Sequence, residues 1–128
     1  MHDVKRLKEH FHQCMPLFIA LGDEIRLTII ESLTNAAYQS CGSDLSEENL
    51  SRYGLNVREI TEQTSLSRPA VSHHLKILKD AGLISIRRDG TRNYYYLTIS
   101  RSTRQLMELG QEIQGIFGAG QHIADRRI

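Results

Sequence analysis

Apolar residues recur every three or four positions over residues 3–21, where Val4, Leu7, Phe11, Cys14, Met15, Phe18 and Ile19 share one broad helical face. Pro16 interrupts that run. It is expected to kink the helix or split it in two, since proline lacks an amide N–H and its ring clashes with the preceding turn. Asp23 can cap a second helix with Ile25, Ile29, Ile30 and Leu33 on its inner face. The periodicity then lapses. Residues 35–55 form an acidic insertion, long for a connection in a compact domain. Its bland reading is a surface loop with one short helix from Ser46 to Gly54; the sharper reading is an effector or partner contact.

The pattern sharpens at Asn56. Asn56 and Glu59 have capping-box spacing, and Val57 and Ile60 face inward. Thr64-Ser65-Leu66 breaks the helix. Ser67 caps the next one, Pro69 sits in its first turn, and Val71, Leu75 and Leu78 repeat at helical spacing until Ala81-Gly82. Residues 83–97 then read as two strands joined at Asp89-Gly90, a strong hairpin signal. Ser100 is expected to cap a last helix with Leu106, Leu109, Ile113, Ile116 and Phe117 on one stripe. Gly110, Gly115, Gly118 and Gly120 make that helix weak alone, so it should pack against something.

Net charge changes the picture through its distribution. The whole chain carries only +1, but residues 56–104 hold nine basic and four acidic side chains, a local net of +5. The second helix of this segment offers Arg68, Ser72, His73 and Lys76 on its polar side, and the hairpin carries Arg87, Arg88 and Arg92. These are the donors that contact base edges and phosphates when a helix enters the major groove and a hairpin touches the flanking backbone. Strand alternation sends Tyr95 inward and Tyr94 and Tyr96 outward, where the Tyr94 hydroxyl can reach a phosphate. The alternative is a small helical core with a solvated basic face.

The segment SLSRPAVSHHLKILKDAGLISIRRDGTRNYYYL resembles the recognition helix and wing of the arsenical-resistance repressor (ArsR) family of winged helix-turn-helix regulators. Residues 20–27 resemble that family's second-helix start, with Arg26 and Leu27 in register, and the likeness covers roughly residues 15–34 and 56–117. The resemblance implies a homodimeric DNA-binding repressor, built through its terminal helices (about 3–21 and 100–118) and released from its operator by an inducer. The family's familiar metal sites do not carry over. Its thiolate pair falls at Asn56-Val57-Arg58-Glu59, and its last-helix zinc site falls where this chain has Gln105, Met107 and Gln114.

His10, His12 and Cys14 cluster in sequence, and His122 with Cys14 and His10 could complete a zinc set across a dimer. Against this, His10 and His12 read as solvent-facing and Cys14 as a small core residue. No metal or other cofactor is expected. Cys14 and Cys41 form no CxxC motif, which leaves a thiol switch as a second, weaker route to sensing. The His73-His74 pair lacks the partners of a catalytic triad or phosphate loop, so an enzyme is not expected. There is no signal-peptide core and no apolar run near 18 residues, which suggests a cytoplasmic protein away from membranes.

The expectation is therefore a mainly α, single winged helix-turn-helix domain over residues 1–128 with a small β-hairpin, residues 56–97 being its DNA-binding unit. It should bind a double-stranded operator with an inverted repeat, as a homodimer. Ser72, His73 and Arg68 are assigned to base edges, and Lys76, Arg87, Arg88, Arg92 and Tyr94 to phosphates. The rival reading is a winged-helix protein-interaction module that never touches DNA; arginines at a wing tip count against it.

Overall fold

Capping side chains explain where most of the helices begin in the computed structural model, which describes residues 4–125 and the side-chain surroundings of residues 4–118. Between α1 (Val4–Leu21) and α2 (Glu24–Cys41), the Asp23 carboxylate accepts from the Ile25 N–H at 2.8 Å and the Arg26 N–H at 3.2 Å. The Arg26 amide is the chief cause of its carboxyl titrating below the usual carboxylate range. Ser46 caps α3 (Glu47–Arg52). Asn56 opens α4 (Val57–Thr64) with a full capping box: its Oδ1 accepts from the Glu59 N–H at 2.9 Å, and its own N–H donates to Glu59 Oε1 at 3.0 Å. Ser65, at φ 60°, closes α4, and Ser67 caps α5 (Arg68–Asp80) with Pro69 in the first turn.

α5 ends in a Schellman turn. Gly82, at φ 78°, donates to Lys79 O, and the Leu83 N–H reaches back to Leu78 O at 3.0 Å. That turn delivers the chain directly into β1 (Ile84–Asp89), which pairs antiparallel with β2 (Arg92–Leu97), Ile84 facing Leu97 and Asp89 facing Arg92. The loop is Gly90-Thr91, one residue later than the expected Asp89-Gly90. Gly90, at φ 63°, holds the first loop position, where a type II′ connection needs positive φ.

A third extended segment lies beside the hairpin. The Leu55 N–H donates to Tyr95 O at 2.9 Å, and the Tyr95 N–H returns a bond to Leu55 O at 2.8 Å. α6 (Ile99–Asp125) starts one residue before Ser100, so Ser100 is not its cap. The Ser100 hydroxyl instead donates to Glu47 Oε1 at 2.7 Å, and the buried Ser102 hydroxyl, donating to Gly82 O at 3.1 Å, ties α6 to the end of α5.

The main core gathers Leu17, Ala20, Ile29, Leu33, Leu55, Ile60, Val71, Leu75, Leu78, Leu83, Ile84 and Leu97. Leu7, Cys14 and Leu109 make a smaller cluster between α1 and α6, with Ile113 and Ile116 packed against it. α1 runs through Pro16 as one helix, so the proline does not split it in two, and its apolar arc is wider than one contact needs. Leu7, Cys14, Leu17 and Ala20 are buried, while Val4, Phe11, Met15, Phe18 and Ile19 remain exposed on the adjoining face. The inserted stretch is more helical than a surface loop: α2 absorbs residues 35–41 with Ala37 buried, and α3, the short helix expected after Ser46, buries Leu50, which leaves residues 42–46 and 53–55 outside helices. Tyr38 and Cys41 gave no inward stripe to read, because only one side of this extension meets the core.

The Leu55–Tyr95 pairing makes Gly54 irreplaceable: a Cβ there would lie 2.5 Å from Tyr95 O. Gly54→Ala should lower unfolding free energy by about 1–3 kcal/mol, the usual cost of overpacking. Gly110→Ala, in α6 with open space around it, should raise it by about 0.5–1 kcal/mol through helix propensity. Urea titrations of the two variants check this, and parent-like stability of Gly54→Ala would rule out the close approach.

Candidate nucleic-acid interface

The turn between α4 and α5 sets α5 across the domain with Val71, Leu75 and Leu78 inward. This leaves Arg68, Ser72, His73 and Lys76 exposed along its outer side. Lys76 Nζ lies 3.0 Å from Asp80 Oδ2, an exposed i,i+4 pair that water and salt weaken. His73 meets His74 edge to face, with ring centroids 5.5 Å apart.

His74 is half-buried and turned away from that stripe. Its Nδ1 lies 3.2 Å from Arg26 Nη1. A guanidinium has donors only, so Nδ1 accepts. Arg26 is itself 8% exposed, and its Nε and Nη2 donate to Ala20 O at 2.8 Å and Ile19 O at 2.9 Å. One side chain thus caps the free carbonyls at the end of α1, lies near the cap of α2, and holds the middle of α5.

The three hairpin arginines have different surroundings. Arg88 is exposed, its one side-chain bond among the described residues being to the nearby Gly90 O at 3.3 Å, and Arg92 is exposed at the tip. Arg92 shares a cleft with Arg68 at the start of α5 and with Arg58 on α4. Arg87 and Tyr94 do not join them. The Arg87 Nε donates to Ser51 O at 2.8 Å and its Nη2 to Arg52 O at 3.3 Å, closing the end of α3, while its guanidinium lies 4.8 Å over the Tyr94 ring. Arg87, assigned with Tyr94 to phosphates, thus has two of its donors on carbonyls at the end of α3, with the Tyr94 ring beneath it. Arg58, on the helix before α5, was not among the expected site residues. Tyr95 faces the core as alternation predicts, and burial pushes its hydroxyl pKa up.

Within one chain, the candidate metal ligands among the described residues have separate surroundings. The His10 Nδ1 lies 2.6 Å from Glu112 Oε2, joining α1 to α6. Cys14 is fully buried, its Sγ pointing at Gln105 O at 3.8 Å. His12 is exposed, and the side chain of His122 lies outside the described residues. No group of three metal-binding side chains occurs among the described residues. Likewise, no described helix is long and apolar enough to cross a membrane.

Comparison with known proteins agrees with this geometry. The family model described as "Bacterial regulatory protein, arsR family" matches residues 48–85. An HTH-type transcriptional regulator of Methanocaldococcus jannaschii is 31% identical over 105 residues, covering 82% of this chain and 99% of that protein. The arsenical resistance operon repressor of Staphylococcus aureus is 32% identical over 77 residues, 60% of this chain and 58% of that one. Among solved structures, an ArsR-like transcriptional regulator from Rhodococcus superposes with a TM-score of 0.59 at 24% identity, covering 91% of this chain and 94% of that one, a likeness of fold.

The two thiols should behave differently. Burial first, and the nearby Glu108 carboxylate second, push the Cys14 thiol pKa above its ordinary value, while Cys41 is partly accessible on α2. A maleimide at neutral pH should label Cys41 readily and Cys14 only as the protein unfolds. Mass spectrometry of a labelling time course checks this; equal rates would place Cys14 at the surface.

Proposed function

Because the chain belongs to the arsR family of bacterial regulatory proteins, and is a DNA-binding transcriptional regulator rather than an enzyme, we propose that it acts as a homodimeric repressor on an inverted-repeat operator. The observation that carries this is the exposed stripe of Arg68, Ser72, His73 and Lys76 on a helix capped at both ends, beside a hairpin with Arg88 and Arg92 at its tip. In this reading α5 enters the major groove, Ser72 and His73 meet base edges, and Lys76, Arg88 and Arg92 meet phosphates. The hairpin is the wing.

The second copy has a surface to occupy. Phe11, Met15, Phe18 and Ile19 on α1, with Met107 and Phe117 on α6, expose more apolar side chain than a small monomer usually leaves in water. Pairing through α1 and α6 covers that surface and links two recognition helices. Release from DNA is assigned to an inducer that uses neither of the family's two familiar metal sites, since their ligands are missing. No resident cofactor is proposed, and the compartment consistent with a DNA regulator is the cytoplasm.

Substitution separates the roles. His73→Ala should reduce discrimination between operator and altered operators by about 1–3 kcal/mol per lost base contact. Arg88→Ala should weaken binding to all duplexes about equally. Fluorescence anisotropy against a duplex from upstream of its own gene reads both, and the opposite assignment of phenotypes would exclude α5 as the reading helix.

The dimer surface is tested separately. Phe18→Glu places a charge on the exposed face of α1, away from the chain's own core. It should give a folded monomer with operator affinity lowered by at least tenfold, because two half-sites no longer act together. A Phe18→Glu protein that sediments as a dimer would place the interface elsewhere.

A further inference from the structure

We propose that the cleft between the start of α4, the start of α5 and the wing tip is a seat for one backbone phosphodiester of the operator, held by Arg58, Arg68 and Arg92 together. The inference rests on the DNA-binding reading and refines it: it adds Arg58, and it moves Arg68 from a base edge to the backbone. The cleft measures about 290 Å³. The three arginines line it with Asn56, Thr91 and Asn93, and no carboxylate does. The side chains of Arg68 and Arg92 have no hydrogen-bond or ion-pair partner among the described residues. Arg58 has only a loose contact, its Nε 3.8 Å from Glu62 Oε1, with both side chains largely in water.

Three guanidinium groups around one concavity repel one another and concentrate positive potential there. An anion that presents several acceptors at once relieves this. A phosphodiester does so, with two charged oxygens that guanidinium forks grip in a bidentate manner. The cleft is at the lower edge of the range that holds organic ligands, about 300–1,000 Å³, and three of its lining side chains are cationic, so it suits a compact anion better than a drug-like molecule. Its position also favours the duplex. It joins the N-terminal end of α5 to the wing, so the strand that passes from the groove to the wing crosses it. A phosphate held by residues from three elements fixes the wing relative to the recognition helix.

Methylphosphonate scanning of the bound operator tests this, neutralising one phosphate at a time. One position per half-site should cost the wild-type protein about tenfold or more in affinity, as expected for charge-assisted hydrogen bonds. Arg58→Ala should bind the unmodified operator correspondingly more weakly, lose little further affinity at that same position, and lower the salt dependence of log K by about one unit or less. Wild-type binding that is tight but shows no position coupled to Arg58 would overturn the seat and leave the DNA-binding reading intact. Failure of the wild type to bind any duplex would overturn that reading itself. A free phosphate compound is the other source of this chemistry. Calorimetry with inorganic phosphate at constant ionic strength should show no binding below millimolar concentration, and submillimolar binding without a methylphosphonate effect would assign the cleft to a free anion instead.

Discussion

The Arg26 guanidinium is the contact on which the placement of the reading helix depends. It is a nearly buried charge, and burying a charge is costly unless its donors are satisfied. Here they are. Two donors meet carbonyls at the end of α1, where helix geometry leaves them without partners, and a third meets His74 in α5. Asp23 Oδ2, 3.9 Å from Nη1, supplies counter-charge. Removing the side chain would leave two carbonyls and the imidazole nitrogen unbonded, and bonds to charged groups contribute about 1.5–3 kcal/mol each. Val71, Leu75 and Leu78 set which side of α5 faces the core, and Arg26 adds a directional tie from α5 to the end of α1.

The inserted residues have a role that follows from the same logic. A two-stranded hairpin is marginal alone. Leu55 adds a partner strand, Arg87 fastens the hairpin to the last carbonyls of α3, and Glu47 reaches Ser100 at the start of α6. The insertion therefore supports the wing from behind.

Local signals were legible in the sequence, and they describe the DNA-binding unit well. Asn56 with Glu59, Ser67 with Pro69, and Gly82 after Ala81 act within a few residues, so their chemistry is written in adjacent letters. The wing turn was placed one residue early because Asp89-Gly90 is the commoner signal, whereas Gly90-Thr91 satisfies this register. What escaped depends on distant partners. Arg87 looked like Arg88 and Arg92 until α3 came beneath it. Arg26 and His74 lie 48 residues apart. The broad apolar arc of α1 could not reveal which edge the chain uses itself and which it leaves exposed.

In vitro selection from random duplexes, followed by hydroxyl-radical footprinting of the winners, tests the central claim most directly. The expected result is an inverted repeat with two protected half-sites, their centres separated by about one helical turn or a multiple of it, roughly 10–10.5 base pairs per turn. Protection should extend to the flanking backbone reached by the wings. Selection that converges on no sequence, or a single protected half-site with a dimeric protein, would contradict it.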